Sequence, residues 1–330
     1  MLELTAANAE AYLRSRGVAG PIRVTELTEG VSNVVLRVET PERLFVLKQS
    51  RPRLRTREDW FSNIDRIWRE RDVMVLLRPK LPAGVVPEVL FSDEANYAFA
   101  MNHAPEPFRN WRTVLLAGEV NPRLGEQAGR LLGLIHQTTA DDPAALEPFR
   151  DRTVFEQLRI KPFYLCIQER LPGVAPAIEP LIQRMRSVRL ALCHGDFSPK
   201  NLLLHAAGFT LVDYETGHFG DPAMDLGFFL SHLLLKAIHR RHERERFFEL
   251  TRAFWQGYIL AVPRLPVSEL RRAGIGHLGA CLLARIDGTS PAPYLTDSAQ
   301  REVGREIGRW LLHEHPSEWE EVLQIVGTMS

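Results

Sequence analysis

Apolar and polar positions along the chain follow two successive patterns. Near the start, Leu4, Tyr12 and Leu13 have the spacing of a short amphipathic helix. Residues 22–27, 34–38 and 44–49 then form β-rich runs, parted by turn chemistry at Glu29-Gly30 and Thr40-Pro41-Glu42. A helical period follows over residues 64–77, with Ile67, Met74 and Leu77 on one face. Two more strand-like runs, 86–91 and 97–101, predict a small sheet.

After Asn102 the pattern changes. Pro105 and Pro107 mark a connector, and residues 122–138 set Leu124, Ala128, Leu131 and Ile135 on one helical stripe. A β island over residues 190–212 interrupts this helical half, and helices resume to the end. The expected fold class is α+β and bilobal, with a small β-rich N-terminal lobe (1–102) and a larger, mainly helical C-terminal lobe (103–330). The cleft between them is the expected site.

Charge narrows the partners. The 330 residues carry 41 basic and 41 acidic side chains, so nothing calls for nucleic acid or an acidic membrane surface. The one basic run, 236–246, is broken by Glu243 and Glu245 and reads as a solvated helix face. Cys166, Cys193 and Cys281 are too few and too scattered for a disulfide framework or a zinc site. The opening residues lack a signal-peptide pattern, and no apolar run reaches about 18 residues. A soluble, cytoplasmic protein is the expectation.

Residues 192–204, LCHGDFSPKNLLL, carry the strongest chemical signal. An apolar strand delivers His194, Gly195 and Asp196 into a polar loop, and Asn201 opens the next strand. A further strand, 208–213, ends on Asp213. If the two short strands form a hairpin, Asn201 and Asp213 meet at one cleft edge. An amide oxygen beside a carboxylate suits Mg²⁺ bridging phosphate oxygens. Asp196 would then be free to accept a hydroxyl proton as catalytic base. Against this stands a simple turn-rich loop whose Asp and Asn bond their own backbone.

Lys48 follows Leu44 and Val46 at a period of two and so shares their inward face. A buried ammonium needs an anion, and Glu70 lies on the apolar stripe of its helix between Ile67 and Met74. Two readings stand: a structural ion pair, or a lysine that bridges to phosphates while Glu70 orients it. The turn at residues 28–33, with Gly30 and Ser32, is either a hairpin turn or a loop over those phosphates.

Taken in order, these residues resemble the aminoglycoside phosphotransferase and choline kinase superfamily, which includes the 5-methylthioribose kinases. The resemblance runs from Gly30, Lys48, Glu70 and Met101 through Leu134-Ile-His136 to HGDFSPKN (194–201) and DYETGHFGDPAMD (213–225). It implies a protein-kinase-like fold with ATP as a substrate in the cleft. Asp196 would be the base, Asn201 and Asp213 the Mg²⁺ ligands, and Lys48 the phosphate-contacting lysine held by Glu70. Backbone groups at Met101 and His103 would meet the adenine. Asp221 and Asp225 look like the family's second acidic motif, which braces the catalytic loop. For Glu215 two readings stand, a second metal ligand or an exposed side chain at the cleft rim.

Only seven residues separate Asp213 from Asp221, too few for the activation segment on which a protein substrate docks. A small-molecule hydroxyl acceptor is expected instead, and residues 219–235 look most like the methylthioribose kinase branch. Arg285 and Asp287, in the last turn of a helix stopped by Gly288, either complete a capping turn or meet the acceptor. Glu314, Glu318, Glu320 and Glu321 read as a solvated face, and Trp255 and Tyr258 as core. The rival from another class is a catalytically silent nucleotide-binding protein, which the presence of Lys48, Glu70, Asp196, Asn201 and Asp213 argues against. Oligomeric state has no signal in the sequence.

Overall fold

The computed structural model describes residues 1–27, 33–53 and 61–329. Five antiparallel strands form the first sheet, in the order β1-β2-β3-β5-β4. They are β1 (Arg23–Glu26), β2 (Asn33–Glu39), β3 (Leu44–Ser50), β4 (Val89–Asp93) and β5 (Ala98–Asn102). Helix α1 (Ala9–Ser15) lies N-terminal to the sheet, and α2 (Arg66–Leu77) joins β3 to β4. Both faces of β3 are covered. Phe45 and Leu47 pack with Leu4, Ala9, Tyr12 and Leu13 on one side. Val46 faces the α2 side, with Ile67, Val73 and Met74. Period-two alternation therefore sets Lys48 on the α2 side, opposite Val35 and Phe99 in the ladders.

The sheet ends at Asn102, and the chain passes through 103–108 into β6 (Arg109–Asn110) and α3 (Trp111–Leu116). Helix α4 (Pro122–Ala140) follows. A short α5 (Thr153–Phe155) runs through a π-helical stretch (Glu156–Leu165) into α6 (Cys166–Arg170), and α7 (Ala175–Ser187) comes next. The β island holds β7 (Ala191–Cys193), the hairpin β8 (Leu202–His205) and β9 (Gly208–Leu211), and β10 (His218–Gly220). Strands β6 and β10, too short to leave a period, pair with β8 and β7.

Five helices complete the lobe: α8 (Pro222–His239), α9 (Arg244–Ala261), α10 (Val267–Asp287), α11 (Ser298–Glu314) and α12 (Trp319–Met329). Asn110, Asn121, Asp221 and Asp297 cap α3, α4, α8 and α11, each accepting a first-turn N–H. Glycines let α4 and α9 touch backbone to backbone. A Cβ at Gly129 would run into the carbonyl oxygen of Phe254. Helix α8 is buried all round from Pro222 to Ile238, so it is the axis of the lobe. Lys236 belongs to that buried stretch, which corrects the reading of 236–246 as a wholly solvated face. One apolar core runs without a break from Val46 and Ile67 to Phe229 and Leu311. No helix among the described residues is long and apolar enough to cross a membrane.

Candidate active site

Strand β3 and helix α2 bring Lys48 and Glu70 together inside the molecule. Lys48 Nζ lies 2.6 Å from Glu70 Oε2 and 2.9 Å from Asp213 Oδ1, at the end of β9. Burial works against the Lys48 charge, but Asp213, Glu70 and Glu215 outweigh it and hold its pKa above the ordinary lysine value. Burial likewise opposes the Asp213 carboxylate, yet Lys48 and Lys200 keep its pKa below the usual range. Both groups are therefore charged at neutral pH. Asp213 has a φ of 70°, a left-handed conformation that aspartate tolerates better than most residues.

Glu215 is buried, which corrects its reading as an exposed rim residue. Its Oε2 accepts hydrogen bonds from Asn33 Nδ2 (2.9 Å) and Arg66 Nε (3.1 Å). Arg66 is fully buried one helical turn before Glu70, and it also donates to Asn33 Oδ1 and to the carbonyl of Arg51. The sequence reading missed Arg66 and Asn33. The i, i+4 spacing of Arg66 and Glu70 on one helix face was the available signal.

The loop after β7 is held from below. Asp225, in the first turn of α8 and wholly buried, accepts the N–H groups of His194 (2.7 Å) and Gly195 (2.8 Å). His136 Nε2 lies 3.3 Å from the same carboxylate, and its Nδ1 meets Tyr258 Oη at 3.0 Å. Burial raises the Asp225 pKa, but His136, His194 and the Gly195 N–H hold it below the usual carboxylate range. Gly195 has a φ of 74°, and a Cβ there would come 2.8 Å from the Thr216 carbonyl oxygen. Only glycine fits this turn without a shift. Asp221 caps α8 and pairs with Arg184.

Asp196 is nearly buried and held on three sides. Arg159 Nη2 lies 2.7 Å from Oδ1 and Lys200 Nζ 2.8 Å from Oδ2, while Asn201 Nδ2 donates to Oδ2 at 3.0 Å. Burial pushes the Asp196 pKa up, but Arg159 and Lys200 keep it below the ordinary value, so it is a carboxylate. Arg159 was not among the residues singled out from sequence. It comes from the π-helical stretch and also donates to the Gly195 carbonyl. The β8–β9 hairpin ties Asn201 to the Asp213 end through Val212 N–H and the Asn201 carbonyl at 3.0 Å. With its amide nitrogen spent on Asp196, Asn201 keeps its oxygen as acceptor. Asn201 and Asp213 each have a side-chain oxygen to offer, and Glu70, Asp213 and Glu215 offer oxygens within 4.8 Å of one another. These ligand types fit Mg²⁺.

The remaining residues fall in different surroundings. Gly30 and Ser32 lie outside the described residues. Met101 pairs with Val46 and Val89 at the end of the sheet, and its side chain joins the core. His103 follows, with its ring nitrogen 2.7 Å from the Ala104 carbonyl and its ring against Phe108. Arg285 Nη1 donates to Ser290 Oγ at 3.0 Å, near Tyr294 and Asp196. Asp287, by contrast, is bound by Arg305 through both oxygens at 2.8 Å, so its carboxylate is committed to the α10–α11 contact. Trp255 stacks on Tyr258.

A two-lobed kinase-like protein is the class that this fold and cleft define. A model described as the phosphotransferase enzyme family (APH) matches residues 23–241, and the chain belongs to that family of phosphotransferases. Methylthioribose kinase of Escherichia coli is 26% identical over 275 residues, covering 72% of this chain and 65% of the relative. The chain thus spans less than two thirds of that relative's length. The Bacillus cereus methylthioribose kinase is 23% identical, with 81% of this chain and 75% of the relative covered. Among solved structures, a choline/ethanolamine kinase family protein from Mesorhizobium loti has a TM-score of 0.54 at 20% identity, covering 98% of each chain. Spectinomycin phosphotransferase, in complex with ADP and spectinomycin, has a TM-score of 0.54 at 13% identity, covering 99% of each. The structural likeness at these identities is one of fold.

Proposed function

We propose that this protein transfers the γ-phosphoryl group of ATP to a hydroxyl of a small molecule, a sugar or similar polyol, with Asp196 acting on that hydroxyl. One observation carries the reading: Lys48, Glu70 and Asp213 meet in one largely buried cluster, and Asn201 links it to Asp196. The methylthioribose kinase relatives and the short Asp213–Asp221 interval support a small-molecule acceptor. Residues 1–102 would then hold the nucleotide, with adenine against the backbone at Met101 and His103, and 103–330 the acceptor.

In the step proposed, the acceptor oxygen attacks Pγ, the bond from Pγ to the bridging β-phosphate oxygen breaks, and ADP leaves. The hydroxyl proton passes to Asp196. A carboxylate with a lowered pKa is a weak base, but phosphoryl transfer asks little of one, because its transition state is loose. Asp196 then serves chiefly to orient the hydroxyl, late in the reaction taking its proton. Lys48, held by Glu70, contacts the phosphates. Asn201 and Asp213 would hold Mg²⁺, which when bound would supply positive charge against the phosphate oxygens.

The test is ADP release with Mg-ATP across methylthioribose, other sugars, choline, homoserine and aminoglycosides. Asp196→Asn is expected to lower acceptor-dependent turnover by about 10²–10⁴-fold and to leave nucleotide binding intact. Undiminished turnover in that variant would remove Asp196 from the mechanism. Nucleotide binding with no turnover on any acceptor would favour a silent nucleotide-binding protein.

A further inference from the structure

Around Asp196, positive charge exceeds the carboxylates that meet it. Arg159 and Lys200 both meet Asp196. Arg159 also lies over the ring of Phe228, 5.4 Å away, on α8. Phe228, His232 and Lys236 follow one another at i, i+4 and i+8 and so form a single stripe along that helix. At its far end Lys236 is wholly buried. Its ammonium donates only to the His232 carbonyl among the hydrogen bonds described (2.9 Å) and sits 5.4 Å from the ring of Tyr294. Arg285, on α10, stands close enough to act on both Lys236 and His232.

Every large charge acting on His232 is positive, from Arg285, Lys236, Lys200 and Arg159 in that order. Burial and then Arg285 push the Lys236 pKa down to about 7. Asp287 would be the obvious counter-ion, two residues from Arg285, yet Arg305 takes both its oxygens. Two buried polar atoms in the same place have no hydrogen-bond partner, His232 Nε2 and Tyr294 Oη. Buried cations and buried polar atoms without partners are costly, and a bound anion is one way to complete them.

We infer that the acceptor carries an acidic group, a carboxylate or a phosphate, which seats beside Asp196 against Arg159, Lys200 and Arg285. This rests on the kinase reading and narrows its substrate to hydroxy acids, sugar acids or sugar phosphates. Lys200 and Arg285, the more accessible of the three, make the direct contacts. Lys236 adds positive charge from behind when it is protonated, and His232, which burial and these cations keep neutral, adds none. The same charges would repel a polycationic aminoglycoside or a choline-like cation.

The test uses the whole protein with ADP and Mg²⁺ present, so that the nucleotide phosphate site is filled. Thermal unfolding is followed with glycerate, glycerol 3-phosphate, glycerol and choline at matched ionic strength. One or both acids should raise Tm above the glycerol and choline values, and the two arms separate carboxylate from phosphate. Arg285→Gln should abolish that rise, and Arg285→Lys, which keeps the charge, should retain most of it. In turnover, Arg285→Gln should raise KM for an acidic acceptor about 10-fold or more and leave KM for ATP unchanged. No extra stabilisation by either acid, or a rise that survives Arg285→Gln, overturns the inference. So does Asp196-dependent turnover that prefers a neutral acceptor to its acidic analogue, although the kinase reading would then stand. Loss of all turnover with the acid-specific Tm rise intact would do the reverse.

Discussion

The two sides of the cleft handle charge in opposite ways. On the sheet side, each buried cation meets an anion. Lys48 lies between Glu70 and Asp213, and Arg66 meets Glu215. On the helical side, Arg159 and Lys200 share the single carboxylate of Asp196, and Lys236 and Arg285 have none among the contacts described. A self-compensated cluster is prebuilt and holds its geometry whether or not a ligand is present. An uncompensated one raises the free energy of the empty protein and releases that strain when an anion arrives. On the proposed reading, the sheet side that would hold the nucleotide is prebuilt, and selectivity for the acceptor would reside on the helical side.

The largest break in this comparison comes from the compensated side. Lys48→Met strands the buried Glu70 beside the partly exposed carboxylate of Asp213. It should cost about 3–5 kcal/mol of stability and remove turnover together. Denaturant unfolding alongside an ADP-release assay checks both. A stable, inactive variant would mean that Lys48 acts on phosphates and contributes little to the fold.

On the other side, removing a cation should do the opposite. Lys236→Met keeps length and deletes a charge whose folded pKa is about 7 against an ordinary 10.5. Because the folded value is depressed, the unfolded chain binds the extra proton, and the penalty is full below pH 7 and gone above 10.5. At pH 8, with about 1.4 kcal/mol per pH unit, the variant should be roughly 3 kcal/mol more stable than the parent. The gap should close as pH rises toward 10. A variant less stable than the parent at pH 8 would show that the ammonium has a compensating partner.

How far this contrast could be read beforehand depended on local pattern. A lone charge on an apolar strand or helix face announced Lys48 and Glu70, because alternation and helical period force such a charge inward. The motif around Asp196, Asn201 and Asp213 was legible because its spacing joins two strands of a hairpin. Lys236 was not, because the basic residues after it suggest a surface and α8 has no polar face to set the phase. Arg159 was hidden in a π-helical stretch containing Pro162, where a period of 3.6 fails. Glu215 and Arg66 find each other across 149 residues, and no local period encodes a contact of that range.

A smaller effect is expected where the two sides share a brace. Asp225→Asn keeps the shape but turns an acceptor for the His194 and Gly195 N–H groups partly into a donor. It should cost about 1–3 kcal/mol and lower kcat more than KM, because the loop carrying Asp196 loses its fixed position. Steady-state kinetics with the true acceptor separates the two constants. An unchanged kcat would mean that Gly195 and Asn201 hold the loop without Asp225.

The smallest effect tests whether burial, and not the mere number of ion pairs, distinguishes the regions. Arg252 and Glu320 form a bidentate pair on the outer face of the helical lobe, at 2.7 and 2.9 Å, as well made as any in the cleft. Both side chains are about half exposed, so water screens the attraction and each loses side-chain freedom in making it. Arg252→Ala should therefore change stability by less than about 1 kcal/mol, with neither KM altered. A loss as large as that of Asp225→Asn would show that geometry alone sets the strength of these pairs. The contrast between the two sides of the cleft would then have to be explained without desolvation.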